Sequence, residues 1–194
     1  MGATDDAPSG TLDDETVDRV RSGDVDAFEL LVAKYQRQVR ALGYRFFRTR
    51  EDAEDFAQEV FLQAYRKLDT FRGTGRFYSW LMRIAYNRGC RQVGAAPRFA
   101  APVDEPIVDP APQPDEAFER ARARRAVAEA VARLPERYGD CVGLYFFFGL
   151  SYQEVSDVTG YPLNTVRSHI RRAKLLLAER LADERCGEGR GGEA

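Results

Sequence analysis

The chain has 194 residues, 44% apolar and 31% charged, with 29 Lys and Arg against 31 Asp and Glu for a formal net charge of -2. That fits one domain or two small ones beneath a soluble surface; with no apolar run near membrane-spanning length and an acidic start unlike a signal peptide, a cytoplasmic protein without membrane insertion is expected. Cys90, Cys141 and Cys186 are odd in number and widely spaced, and His169 is the only histidine, which argues against a disulfide framework, a metal centre or a catalytic constellation.

The near-neutral total hides a strong asymmetry. Residues 1–30 hold nine acids against Arg19 and Arg21, whereas residues 66–91 hold seven bases against Asp69 alone. A phosphate backbone responds to the local patch, so two basic surfaces count for more than the average. Residues 1–22 read as a polar, acidic lead, partly disordered. Phe28, Leu31, Val32, Tyr35, Val39, Leu42 and Phe46 then trace a helical apolar stripe. Ala53, Phe56, Ala57, Val60, Phe61, Ala64, Tyr65 and Leu68 trace another, with Thr49 as its cap and Asp52 as the cap's partner. The short turn between them predicts antiparallel neighbours. The polar side of the second helix is acidic (Glu51, Asp52, Glu54, Asp55, Gln58, Glu59), which suits solvent or a basic protein surface.

Glycines at 73 and 75 break the chain before a third amphipathic helix that contains Trp80, Leu81, Ile84 and Ala85. Around this break, Phe71, Arg72, Arg76, Phe77, Tyr78 and Trp80 interleave rings with cations, and Arg83, Asn87, Arg88 and Arg91 follow. Such a pattern fits single-stranded or melted nucleic acid, because rings stack on bases while cations hold phosphates. The plain alternative is that the rings are core, and for Trp80 that alternative is preferred, since it shares a helical face with Ile84.

Six of the nine prolines fall between Gly94 and Pro114, among Ala, Asp and Glu, which marks an extended linker. A second helical domain follows from about Asp115, with Phe118, Ala121, Val127 and Val131 as candidate buried positions and Leu134-Pro135 restarting a helix that Gly149 ends. The run from Tyr145 to Phe148 has strand composition but helical flanks. Ser151 with Glu154 forms a capping box, Gly160 stops that helix, and Pro162 opens another from about Leu163 to Leu181. Leu163, Val166, Ile170, Ala173, Leu177 and Leu181 make its buried side; Arg167, Ser168, Arg171, Arg172 and Lys174 make a cationic side. An anchored helix with a cationic face suits the major groove of DNA, with Asn164 and Thr165 placed to hold a phosphate at its first turn. His169 reads equally as a DNA contact or a spectator.

Taken in order, these segments resemble a known family. Asp26-Ala27-Phe28-Glu29-Leu30-Leu31, the run from Asp52 to Phe61, Phe71-Arg72-Gly73 and the run from Trp80 to Asn87 resemble region 2 of extracytoplasmic-function (ECF) RNA polymerase sigma factors. Leu134-Pro135-Glu136, the run from Gly149 to Val155 and the run from Thr165 to Ala173 resemble their region 4. The likeness spans roughly residues 16 to 182 and is closest to the sigma-E-like branch of the sigma-70 family.

The resemblance implies an all-α chain of two small helical domains, a region 2 bundle and a region 4 helix-turn-helix. Its parts would be an acidic lead at 1–22, region 2 at 23–93, a Pro/Ala-rich acidic linker at 94–114, region 4 at 115–183 and a flexible tail at 184–194. It implies docking of Asp55, Gln58, Glu59 and Leu62 on the clamp helices of the largest polymerase subunit, and a second contact with the beta flap. It implies -10 recognition and melting by Phe71, Arg72, Gly73, Arg76, Arg83, Ile84, Asn87, Arg88 and Arg91, with one flipped base held by the loop from Phe71 to Ser79. It implies -35 recognition by Asn164, Thr165, Arg167, Ser168, His169, Arg171 and Arg172. The partners implied are core RNA polymerase, promoter DNA and an anti-sigma factor; no cofactor is implied. The rival reading is a stand-alone helix-turn-helix regulator that binds DNA without polymerase.

Overall fold

A computed structural model of the chain describes residues 9–73, 75–94, 127, 129–131 and 133–188. The chain divides into two compact units, Met1–Ala95 and Ala96–Ala194. The described residues form helices and turns with no strand, as the sequence pattern predicts. The linker beyond Gly94, the helical start expected at Phe118 and Ala121, and the tail from 189 onward lie outside the described residues.

The first unit comprises α1 (Ser9–Arg21), α2 (Phe28–Phe46), α3 (Arg50–Arg66) and α4 (Phe77–Val93), with 3-10 turns at Val25–Ala27 and Leu68–Thr70. α2 and α3 are joined by residues 47–49 and pack on each other through Leu31, Val39, Leu42, Ala53, Phe56 and Val60, all essentially buried. They approach so closely that a Cβ on Gly43 would stand 2.9 Å from Phe56 Cδ1 and 3.2 Å from the Ala53 carbonyl. Thr49 caps α3 by accepting the Asp52 amide, and its hydroxyl donates to the Asp52 carboxylate at 2.6 Å. α4 closes the core with Phe77, Leu81, Met82, Ile84 and Ala85, and ends at Gly94, whose φ of 64° needs a residue without a side chain. Each fully buried Leu or Phe here stabilises the unit by ~1.5–3 kcal/mol relative to exposure.

Part of the acidic lead is ordered: Ser9–Arg21 is a helix packed on the bundle. Val17 and Val20 reach the core, and Asp13 is 3% exposed with its carboxylate accepting from Lys34 Nζ at 2.6 Å and from the Tyr35 hydroxyl. Two valines and a paired acid are too sparse a pattern to mark a helix against seven other acids between residues 5 and 26.

In the second unit Ala130, Val131 and Leu134 are buried, whereas Val127, expected inside, is 39% exposed. α5 (Glu136–Val142) follows Pro135 and runs into a π-turn at Gly143–Phe147. The helical flanks therefore prevail over the strand composition of Tyr145 to Phe148. α6 (Tyr152–Thr159) starts at the Ser151–Glu154 capping box and stops at Gly160 with φ 78°. α7 (Leu163–Glu188) begins where the Pro162 carbonyl accepts the amides of Thr165 and Val166 at 2.8 and 3.0 Å. It continues about two turns beyond the expected end at Leu181, through residues whose composition promised only a tail.

Candidate nucleic-acid interface

α7 is held by one face. Val166, Ile170 and Ala173 are at most 1% exposed and pack with Val155 and Val158 of α6 and with α5. Asn164, Arg167, Ser168, Arg171 and Arg172 all face solvent, and Thr165 sits at the edge. This division follows from helix geometry: residues 164, 167, 168 and 171 share one side of a 3.6-residue turn and residues 166, 170 and 173 the other. Arg167 Nη1 donates to Asn164 Oδ1 at 3.3 Å, and Ser168 Oγ donates to the Asn164 carbonyl at 2.9 Å. Tyr152, Arg167, Arg171, Lys174 and Leu175 line a shallow basic groove beside this face, where Lys174 Nζ lies 5.4 Å from the centroid of the exposed Phe146 ring.

His169 is not part of that face. Its ring lies edge-on to Tyr138 and Tyr161, with centroids 5.1 and 5.3 Å away, and its Nδ1 is 3.7 Å from Cys141 Sγ. Burial and then the charges of Arg137 and Arg172 push its pKa below the ordinary 6.5, so the imidazole is neutral near pH 7. It stands half-buried between α7 and α5 at the margin of the cationic face, a packing position that supports the spectator reading. Cys141 is fully buried, and burial with the nearby Asp140 raises its thiol pKa to about 12; it is inert packing. Among the described residues no cluster of three or more His, Cys, Asp or Glu could hold a metal ion. Arg172 also hydrogen-bonds the Tyr138 hydroxyl and lowers its pKa, so this arginine is tethered at the edge of the cationic face.

The second basic surface belongs to the first unit. Arg72 and Arg76 flank Gly73, whose φ of 67° turns the chain sharply, and all three are exposed. Arg83, Asn87 and Arg91 follow at four-residue spacing on the solvent side of α4, with Arg91 Nε donating to the Asn87 carbonyl at 3.0 Å. Phe71 and Ile84 depart from the expected contact set: they are 4% and 9% exposed and belong to the core. Phe71 packs with Phe77 and Trp80 at centroid distances of 5.6 Å, and Phe77 lies 5.5 Å from Trp80. Trp80 is half-buried over this cluster, a packing residue with one edge in solvent. Buried rings thus form a floor under the loop rather than its reading surface.

On α3 the four expected docking residues, Asp55, Gln58, Glu59 and Leu62, are all exposed, with Leu62 51% accessible. They do not form an independent face, however. Glu59 is ion-paired with Arg88 of α4 and accepts from Gln92 Nε2 at 3.2 Å. A residue expected on the polymerase side is therefore tied to one expected on the DNA side. The sequence pattern also missed Arg21 of α1, whose guanidinium donates to the carbonyls of Leu68 (2.9 Å) and Phe71, just before the loop. An arginine in an acidic helix gives no signal of its target; the pairing exists only in three dimensions.

Comparison with known proteins matches this geometry. The family model for Sigma-70 region 2 matches residues 31–96, and that for Sigma-70 region 4 matches residues 124–177. The RNA polymerase sigma-H factor of Pseudomonas aeruginosa is 39% identical over 175 residues, covering 84% of this chain and 90% of that protein. The ECF RNA polymerase sigma-E factor of Escherichia coli K12 is 35% identical over 173 residues, covering 84% and 90%. Among solved structures, CnrH in complex with the cytosolic domain of CnrY superposes with a TM-score of 0.62 at 24% identity, covering 90% of this chain and 97% of that one, a likeness of fold. With a region 2 helical bundle in one unit and a helix-turn-helix in the other, the chain belongs to the sigma-70 family as an ECF RNA polymerase sigma factor, a factor that directs transcription.

Proposed function

We propose that the two basic faces read separate segments of one promoter while α3 holds the chain on core RNA polymerase. The carrying observation is that each unit presents one cationic surface fixed from behind by a buried core. In the second unit Arg167, Ser168 and Arg171 enter the major groove at the -35 element, with Arg172 at the margin and Asn164 and Thr165 on phosphate. In the first unit Arg72, Arg76, Arg83, Asn87 and Arg91 hold the -10 strand while the turn at Gly73 receives one unstacked base. Phe71 and Ile84 support these residues from the core, and Arg88 acts through its pair with Glu59.

Opening then draws on base capture and holoenzyme binding, against an unstacking cost of a few kcal/mol per base. No group on this chain needs to break a covalent bond, so its role is non-enzymatic. Asp55, Gln58 and Leu62 form the polymerase-docking patch, with region 2 over 23–93, the linker over 94–114 and region 4 over 115–183. Among the described residues no helix is long and apolar enough to cross a membrane, and a cytoplasmic location fits a polymerase subunit. The CnrH structure includes a second protein's cytosolic domain, and an anti-sigma factor is the regulator we assign here.

The test is co-elution. The purified chain should form a stoichiometric complex with core polymerase and bind isolated promoter duplex weakly. Gln58→Ala with Leu62→Ala leaves the Glu59–Arg88 pair intact and should weaken the complex. Tight, specific duplex binding without polymerase would instead favour a stand-alone regulator.

A further inference from the structure

The loop assigned above to base capture begins and ends on residues gripped from outside α4. At its entry, the Arg21 guanidinium of α1 donates to two backbone carbonyls, Leu68 at 2.9 Å and Phe71. These carbonyls bracket the 3-10 turn Leu68–Thr70, so one planar, always-charged group fixes the direction in which the chain leaves Phe71 toward Gly73. At its exit, Tyr35 of α2 stacks on Tyr78 with centroids 5.3 Å apart and rings 23° from parallel, and it also meets Phe77 at 5.9 Å. Tyr35 is held in turn by its hydroxyl bond to Asp13 of α1, a carboxylate fixed by Lys34. Both ends of the loop therefore report to the same short helix, which has no place in the promoter-contacting set.

We propose that α1 is a brace for the base-binding loop, with Arg21 the positioning residue at the loop's entry and the Asp13–Tyr35 pair the positioning element at its exit. The proposal rests on the reading of residues 72–76 as the base-binding turn. Two carbonyls on one guanidinium leave the Phe71 peptide little freedom, and the left-handed turn at Gly73 follows two residues later. Without the clamp that turn keeps its residues but loses its anchor, and a misplacement of about 1 Å in a binding group costs up to about a hundredfold in a geometry-dependent step. The exposed partner of Arg21, Asp18, is separate: it accepts from Arg21 Nη1 at 3.5 Å and is 77% accessible, so the carbonyl clamp does not need it.

The experiment uses holoenzyme assembled from the full chain and core polymerase. The probe is a fluorescent single-stranded oligonucleotide carrying the non-template -10 segment of a promoter that wild-type holoenzyme selects in start-site mapping, with each base replaced in turn. Arg21→Ala and, as a second and milder variant, Tyr35→Phe should keep core affinity while reducing preference for the native base by about tenfold. Arg21→Lys, able to reach one carbonyl, should fall between; Asp18→Ala should match wild type. Wild-type preference in both Arg21→Ala and Tyr35→Phe, alongside lost preference in Arg72→Ala with Arg76→Ala, would overturn the brace and leave the loop reading standing. Unchanged preference in the loop variant too would overturn both. Loss of core affinity in step with base preference in Arg21→Ala and Tyr35→Phe would also overturn the brace, by reducing α1 to a general stabiliser of the bundle.

Discussion

Exchanging Arg167 for alanine separates the two faces of α7. The side chain is exposed, and its hydrogen bond runs to the equally exposed Asn164 at 3.3 Å. Such a surface contact contributes well under ~1 kcal/mol, and the helix preference of alanine offsets part of it. The anchors Val166 and Ile170 are untouched. Unfolding free energy should therefore stay within about 0.5 kcal/mol of wild type. Promoter binding should respond quite differently. A guanidinium on a base edge discriminates by ~1–3 kcal/mol, which is about 5- to 150-fold in Kd. The assay is holoenzyme binding to promoter duplex at fixed salt, with each base pair of the -35 element changed in turn. The variant should lose preference at one or two positions and keep it at the rest. Uniform weakening across all sequences, with a shallower salt dependence, would mean that Arg167 touches phosphate only and would refute the base-reading assignment.

Three further outcomes test the framework beneath the faces. Ile170→Ala, at a site 1% exposed, should destabilise the second unit by ~2–5 kcal/mol in urea unfolding, and a loss below about 1 kcal/mol would contradict its place as an anchor. Gly43→Ala should lower the melting temperature, because its Cβ would meet the Ala53 carbonyl and Cα at 3.2 and 3.3 Å; overpacking at ~1–3 kcal/mol outweighs the ~1 kcal/mol gained in helix preference, and a raised melting temperature would show the helices free to part. His169 has a folded pKa below 6.5, so the unfolded chain takes up this proton first as pH falls. The stability it contributes is whole above about pH 6.5 and is lost as pH drops through the folded value, by at most about 1.4 kcal/mol per pH unit. Urea midpoints should therefore fall more steeply on acidification in wild type than in His169→Gln, and parallel slopes would contradict the half-buried, neutral imidazole.

Some of this architecture is legible in the chain because local and global signals agree. The Ser151–Glu154 box, Gly160 and Pro162 each fix a backbone event within a few residues, and the helices they delimit stand where the sequence puts them. The stripes of α2 and α3 are long enough to declare themselves. The failures share one physical cause, which is that a side chain's partner lies far along the chain. α1 is hidden because its stabilising contacts run to Lys34, Tyr35 and the carbonyls of Leu68 and Phe71. His169 looks like part of a basic row in one dimension, yet at 100° per residue it falls at the boundary of the buried face, between Tyr138 and Tyr161. Phe71 and Ile84 share a segment with cations, and periodicity alone does not tell a stacking ring from a core ring. Glu59 and Arg88, assigned by pattern to different partners, are each other's partner.

If this chain selects transcription start sites as a polymerase subunit, the start-site map depends on its presence. Start sites should be mapped base by base on a library of genomic fragments, using core polymerase with and without the purified chain. Initiation should appear at a discrete set of positions that share two sequence elements at fixed spacing, and should vanish when the chain is omitted. Identical start-site maps in the two reactions would contradict that role.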